Sequence, residues 1–197
     1  RAQEGAVDGW YQTKFTLKEE PLVSILIPNK DHTDDLDVCL NSFFERADYQ
    51  NYEFIIIENN SVLPETFAYY EKIEKEHDNV KVVYWEAGFN YSTINNFGFK
   101  FAKGDYIMLL NNDVELITSD IFQSMLGFCM RPEVGIVGAK LLYNDHTVQH
   151  AGVLVGAGGL ADHVFKGIHE DDPGYMGRAI SSQDVSAVTA ACLLVKR

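Results

Sequence analysis

The sequence predicts an α/β fold, with a mostly parallel central sheet and helices on both faces. Three observations predict it. Short β-branched apolar runs at residues 22–27, 54–57, 80–84 and 105–110 alternate with stretches whose apolar residues recur at helical spacing. Within the runs successive residues are apolar, as in strands buried on both faces. Three of the runs stop abruptly in polar clusters: Pro28-Asn29-Lys30-Asp31, Glu58-Asn59-Asn60-Ser61 and Asn111-Asn112-Asp113.

Taken in order, residues 1–20 contain Trp10 and Tyr11 but show no period. They are an N-terminal arm or linker, read equally as a packed arm, a short helix or a remnant tail. The domain proper spans 21–197. After the first strand, Thr33 is expected to cap a helix with Asp34 and Asp35 in its first turn, where carboxylates favour the positive end of the dipole. Leu36, Cys39, Leu40, Phe43 and Phe44 form its buried stripe. The second strand is followed by a helix opening near Pro64, a residue tolerated in a first turn, with Phe67, Tyr70 and Ile73 on one side. After the third strand, Ser92 is expected to cap a helix bearing Ile94, Phe97 and Phe101 that stops near Lys103-Gly104. The fourth strand and a helix over about 119–130 complete the alternation. Beyond Pro132 the pattern weakens. Residues 134–142 read as one or two strands, 150–156 as a short strand flanked by glycine, 156–184 as a long surface excursion, and 188–195 as a buried strand.

A chain of 197 residues holds one domain with a sizeable core. It opens at Arg1 and stops directly behind the apolar run 192–195, so it is expected to be a piece of a longer protein, cut short at its C-terminal end. No apolar run approaches the roughly 20 residues of a membrane helix. Cys39, Cys129 and Cys192 are isolated in apolar surroundings and read as small core residues of a reduced, cytoplasmic protein. A formal charge of −13 argues against nucleic acid as a partner, because phosphate contacts need Lys and Arg. The same charge favours a divalent cation wherever this chain meets a phosphate ligand, and Mg²⁺ typically uses one or two carboxylates plus phosphate oxygens.

The sequence lacks GxGxxG after its first strand, GxxxxGK[ST], GxSxG, HExxH and paired CxxC, which removes the main support for dinucleotide, P-loop, serine-hydrolase and zinc readings. What remains is the polar strand ends. In an open α/β sheet ligands bind beyond the carboxyl ends of the strands, so Asp113, with Glu115 two residues on, stands where a cation or ligand could meet it. Asn111-Asn112-Asp113 alone is also a good turn sequence; three such clusters at three strand ends point to one crevice.

These clusters resemble family-2 glycosyltransferases. Residues 22–31 are similar to the family's opening "VSIIIPxxN", and residues 51–61 to its second strand, "YEIIVVDDGS". Asn96-Phe97-Gly98 followed by Ala102-Lys103-Gly104-Asp105-Tyr106-Ile107 matches "NxGxxxAxGxYI". Leu110-Asn111-Asn112-Asp113 matches the metal-site DxD in the relaxed "LNND" form of rhamnosyltransferase-like, polysaccharide-assembling members. The resemblance implies a GT-A fold, Mg²⁺ or Mn²⁺, and inverting transfer from a nucleoside diphosphate sugar to a saccharide or lipid-linked saccharide acceptor in cell-surface polysaccharide synthesis. The implied location is cytoplasmic, peripheral to the inner face of the plasma membrane through segments outside this chain. By position, Pro28 and Lys30 lie beside base and ribose, Asn59 takes the place of the family's base-reading Asp with Glu58 beside it in the nucleotide site, Asn112 lies near ribose and diphosphate, and Asp113 ligates the metal. The amide of Asn59 offers a donor and an acceptor to uracil or thymine, which favours a UDP- or dTDP-sugar. Asn95 replaces an Arg that helps with the diphosphate in many members. The family's general base follows a "GGFDExF" stretch, expected beyond Arg197.

Three further residues are candidate acceptor contacts: His150, and Asp171 with Asp172 in the excursion. The rival readings are a nucleotidyltransferase, which wants a glycine-rich phosphate loop after the first strand, and a non-catalytic carbohydrate- or nucleotide-binding domain of the same fold.

Overall fold

The structure, a computed structural model, describes residues 2–5, 9–156 and 159–197. In chain order the strands are β1 (Ala2–Glu4), β2 (Tyr11–Thr13), β3 (Val23–Asn29), β4 (Tyr52–Glu58), β5 (Val80–Tyr84), β6 (Tyr106–Leu110), β7 (Ile136–Gly138), β8 (Leu141–Leu142), β9 (Val148–His150), β10 (Val153–Val155), β11 (Ala161–His163) and β12 (Cys192–Lys196). The helices are α1 (Thr33–Arg46), α2 (Pro64–Glu76), α3 (Tyr91–Gly98) and α4 (Ile121–Cys129), with 3₁₀ turns at Phe99–Phe101 and Tyr175–Gly177.

Six strands form the central sheet in the order β5-β4-β3-β6-β12-β7. β5, β4, β3 and β6 run parallel, with Leu26 opposite both Ile55 and Leu109. β12 is antiparallel to both its neighbours, pairing Leu194 with Met108 and with Val137. The strand order reverses between β3 and β6, which opens a crevice at their carboxyl ends.

Each parallel strand sends alternate side chains to opposite faces. Ile25, Ile27, Phe54, Ile56, Met108 and Leu110 pack with Leu36, Cys39, Leu40 and Phe43 of α1, Tyr70 and Ile73 of α2, and Phe122, Met125 and Leu126 of α4. Leu26, Ile55, Ile57, Val83 and Ile107 meet a smaller cluster containing Ile94 of α3 and Ala102. The expected helices on both faces are present, three on one side and one on the other.

Local chemistry moves two helix starts from their expected positions. Thr33 is the first residue of α1 and not its cap; His32 precedes it with φ 35°, and no side chain caps that end. α3 begins at Tyr91 because Asn90, not Ser92, caps it, its side chain accepting hydrogen bonds from the Thr93 N–H and Oγ1, each at 3.0 Å. The stretch expected as one strand at 150–156 is broken into β9 and β10 by Gly152, whose φ of 114° no ordinary strand residue adopts. Residues 134–142 form two strands, β7 and β8.

The N-terminal arm is a small hairpin, β1 against β2, followed by Phe15, whose ring stands edge-on to Phe128 of α4 at 4.7 Å. The excursion carries a second hairpin, β10 against β11, and leaves Leu160, Tyr175 and Met176 exposed. The three cysteines are buried and unpaired, as expected, and burial pushes the Cys39 and Cys192 thiols up to about 12. None of the helices is long and apolar enough to cross a membrane, among the described residues.

Candidate functional site

The three polar strand ends converge, and Asn29 joins them. At the end of β3 this side chain is 3% exposed. Its backbone carbonyl accepts the Asn59 N–H at 2.9 Å, and its Oδ1 accepts the Asn112 Nδ2 at 2.7 Å. Asn59 and Asn112 therefore lie at the same edge of the sheet, on either side of β3.

The loop after β3 folds back on the start of α2. Asp31, with φ 56°, accepts the N–H groups of Val62 and Leu63, each at 3.0 Å, and the Thr66 hydroxyl at 3.2 Å. Partial burial works against its charge, but those hydrogen bonds and the nearby Lys30 ammonium outweigh it and lower the Asp31 pKa. Lys30 itself is exposed and Pro28 half-buried, at the end of β3.

Glu58 is not a free ligand group. It is 3% exposed, and both carboxylate oxygens are occupied: Oε1 by the Ser61 N–H at 2.5 Å, Oε2 by the Ser61 hydroxyl at 2.5 Å and the Tyr70 hydroxyl at 2.8 Å. Asn59 is buried, and its Nδ2 donates to the carbonyls of Trp85 at 3.4 Å and Ala87 at 3.2 Å. Both hydrogen bonds use the amide nitrogen and neither uses the carbonyl oxygen. Beside this loop a cavity of about 250 Å³ is lined by Glu58, Asn60, Ser61, Phe67, Tyr84, Trp85 and Glu86.

On the other side of the crevice Asp113 is exposed and Asn111 and Asn112 half-buried. Glu115 is committed elsewhere, paired with Arg46 at 2.8 Å. No group of three or more His, Cys, Asp or Glu side chains capable of holding a metal occurs among the described residues. The donor set at β6 is thus one carboxylate with neighbouring amides. It fits a hard cation that takes its remaining oxygens from a phosphate ligand and water, and not a metal closed in by protein alone.

Asn95, on α3, is 6% exposed; its Nδ2 donates to the Tyr91 carbonyl at 2.9 Å, and its Oδ1 has no hydrogen-bond partner. Tyr91 in turn donates to the Ala190 carbonyl at 2.9 Å, and the Asn111 N–H donates to the Ala191 carbonyl at 2.9 Å. Residues 190–191 thereby tie α3 to the tip of β6.

His150 is brought near this segment but has no free nitrogen. It is 1% exposed, its Nε2 accepts the Thr189 N–H at 3.4 Å, and its Nδ1 lies 2.9 Å from the His163 Nδ1. With Nε2 accepting, the proton sits on Nδ1 and is donated to His163. Burial first, then His163, lowers the His150 pKa to about 4. Asp171 and Asp172 are exposed and stay outside the crevice network: Asp172 accepts the Gly174 N–H at 2.8 Å, and Asp171 lies 3.6 Å from His169.

The sequence alone names Asn29 only as part of a polar cluster and places Tyr70 on a buried helix stripe. Both carried a signal. An amide directly behind a buried strand and a tyrosine on a buried helix stripe each require a polar partner when covered.

The Glycosyl transferase family 2 model matches residues 24–164, most of the chain. The chain belongs to glycosyl transferase family 2. This family-2 chain is 40% identical over 196 residues to the uncharacterized protein y4gI of Sinorhizobium fredii, covering 98% of the chain and 21% of that protein. It is 37% identical over 188 residues to the O-antigen biosynthesis protein RfbC of Myxococcus xanthus, covering 95% of the chain and 15% of that protein. The chain thus spans about a fifth or less of the length of these relatives. Among solved structures, the mannosyltransferase PcManGT from Pyrobaculum calidifontis, in complex with GDP-Man and Mn²⁺, superposes with a TM-score of 0.57 at 15% identity, covering 64% of this chain and 37% of that one. S. aureus TarS in complex with UDP-GlcNAc superposes with a TM-score of 0.53 at 18% identity, covering 66% and 37%. The family-2 chain has the GT-A fold.

Proposed function

We propose that this chain is the donor-binding part of a glycosyltransferase that moves a sugar, with inversion, from a nucleoside diphosphate sugar to a saccharide acceptor in cell-surface polysaccharide assembly. The observation that carries the reading is Asn29, whose carbonyl holds Asn59 and whose side chain holds Asn112 across the reversal point of the sheet. The RfbC relative's role in O-antigen biosynthesis supports the polysaccharide context. The GDP-Man and Mn²⁺ of one structural neighbour and the UDP-GlcNAc of another support the ligand class.

In this reading Asp113 holds Mg²⁺ or Mn²⁺, with Asn112 beside it. A bound cation would neutralise the diphosphate and make it a better leaving group. Asn59 accepts a hydrogen bond from the base. Its amide nitrogen is engaged by Trp85 and Ala87, so the matching group is an N–H, which N3–H of uracil or thymine and N1–H of guanine both supply; of these the donor we propose is a UDP- or dTDP-sugar. Pro28 and Lys30 flank base and ribose.

Calorimetric titration with UDP, dTDP and GDP, each with and without Mn²⁺, tests this. We expect UDP or dTDP to bind more tightly than GDP, and Mn²⁺ to raise the affinity at least tenfold in the wild-type chain but not in Asp113→Ala (by the order of effect expected for loss of a ligand). Binding indifferent to both the metal and Asp113 overturns the reading.

A further inference from the structure

The crevice is backed by a buried chain of hydrogen bonds whose direction is set by two groups that only accept, the Glu58 carboxylate and the Asp31 carbonyl. The Glu58 carboxylate only accepts. The Tyr70 hydroxyl, fully buried and with its pKa raised chiefly by that burial, keeps its proton and must donate it to Glu58 Oε2 at 2.8 Å. Its lone pair is then what meets Asn29 Nδ2, at 2.8 Å. The second proton on Asn29 Nδ2 goes to the Asp31 carbonyl at 2.9 Å, another group that only accepts, so the Asn29 amide cannot be reversed. Asn29 Oδ1 accepts from Asn112 Nδ2 at 2.7 Å, which leaves the Asn112 oxygen on the side away from Asn29 and without a partner among the described residues.

We propose that Tyr70 is a positioning residue for the donor site: its hydroxyl, polarised by Glu58, joins the Asp31 carbonyl in holding the Asn29 amide in one orientation, and so turns the Asn112 amide oxygen, rather than its nitrogen, away from Asn29 and toward the cation that Asp113 would hold. The proposal rests on the reading of Asp113 as a cation ligand. An outward oxygen suits a hard cation, whereas an outward NH₂ would repel it. This compensates for an LNND sequence with one carboxylate where the family's usual motif has two. In this relay both Tyr70 and Glu58 act through Asn29.

The test uses the whole chain and UDP, dTDP or GDP, whichever binds tightest, titrated with and without Mn²⁺. Tyr70→Phe removes only the hydroxyl and leaves the Asp31 carbonyl alone to hold the Asn29 amide. It is expected to lower nucleotide affinity in Mn²⁺ about tenfold, as loss of a partner behind a metal ligand does, while metal-free affinity stays within about twofold. Glu58→Gln keeps the shape but offers a donor where an acceptor is required, and is expected to fall by a similar factor. The double variant is expected to be no worse than the weaker single one, because both break one chain. A Tyr70→Phe protein that keeps the wild-type response to Mn²⁺, or that loses the same factor with and without metal, overturns the relay. If Asp113→Ala abolishes the metal response while Tyr70→Phe preserves it, the relay alone falls. A wild-type chain with no metal response removes the donor-site reading and the relay together. Circular dichroism checks that each variant is folded, and Glu58→Gln reads the chain from its other end should Tyr70→Phe lose its fold.

Discussion

The βα half of the molecule, residues 22–130, and the segment of residues 139–191, made of the 156–184 excursion and the short strands that anchor it and called the excursion from here on, are held together by different forces. In the first, four parallel strands bury both faces under helices, and Phe122 alone packs its ring against those of Tyr49, Tyr52 and Phe43 at 5.1, 5.3 and 6.0 Å. In the second, the hairpins are short and the large apolar side chains of Leu154, Val155, Leu160, Tyr175 and Met176 stay in water. What ties the excursion down includes buried polar anchors, His150 with Thr189 and His163, together with Val148 and Leu141. One region rests on apolar area and the other on a few specific links, so the two should respond to opposite kinds of change.

The largest effect is expected in the βα half. Phe122→Ala removes a fully buried ring from the centre of its cluster and should cost about 4 kcal/mol, by analogy with Phe→Ala substitutions in other cores. Urea unfolding followed by circular dichroism measures it. A loss below about 1 kcal/mol, the range of ordinary substitutions, would mean that this core does not carry the fold.

The next prediction concerns the excursion and pH. Unfolded, His150 titrates near 6.5; folded, it titrates at about 4. Between these values the unfolded chain holds the extra proton. The stability this group supplies is therefore complete above about pH 6.5, declines through the window, and is lost below about pH 4. The shift corresponds to on the order of 3 kcal/mol. His150→Gln should flatten that part of the stability–pH curve, measured as the difference in urea midpoint between pH 7.5 and pH 4.5 for variant and wild type. An unchanged slope would show that the anchor is not His150.

Close approach of backbones in the βα half gives a smaller effect. A Cβ on Gly104 would stand 2.5 Å from the Leu22 carbonyl oxygen and 2.7 Å from the Ser24 nitrogen, backbone atoms that cannot swing away. Gly104→Ala should cost about 2 kcal/mol, the usual range for overpacking. Losing the α3 cap with Asn90→Ala should cost about 1 kcal/mol. That change also loosens the helix carrying Tyr91 and Asn95. It should weaken nucleotide binding more than an equally destabilising change in α4, a comparison that calorimetry can make directly.

The same division explains what the sequence revealed. In the βα half each strand and helix announces itself locally, through unbroken apolar runs and a 3.6-residue period, so the parallel sheet and the edge where Asn59, Asn112 and Asp113 gather were legible. What was not legible there is pairwise and distant in sequence. That Glu58 spends its carboxylate on Ser61 and Tyr70, and that Glu115 is taken by Arg46, depends on partners no local pattern names. Thr33 and Ser92 were reasonable caps by residue type; Asn90 won because an Asx side chain one position before the helix reaches the Thr93 N–H directly. In the excursion even the elements were obscure. Strands of two or three residues are too short for periodicity to register, and Gly152 breaks a run that otherwise reads as one strand. His150 stood out in the sequence as a lone histidine. Only its partners distinguish an anchor from a ligand.

The smallest effect is the sharpest contrast with Phe122. Tyr175 is as large a side chain, yet it is 74% exposed at the edge of the excursion. Its truncation removes little buried area and opens no cavity, so Tyr175→Ala should change the urea midpoint by less than the equivalent of about 0.5 kcal/mol. Should it instead cost 2 kcal/mol or more, on the scale of burying a large apolar side chain, then in solution the excursion would close over its own aromatic surface. Its stability would come from apolar burial after all, and the difference between the two regions would be one of degree. If Tyr175→Ala leaves stability untouched but alters binding of a saccharide to the donor-loaded chain, the exposed face of the excursion is kept for a ligand and not for the fold. That outcome would explain why a region with so many apolar residues buries so few of them.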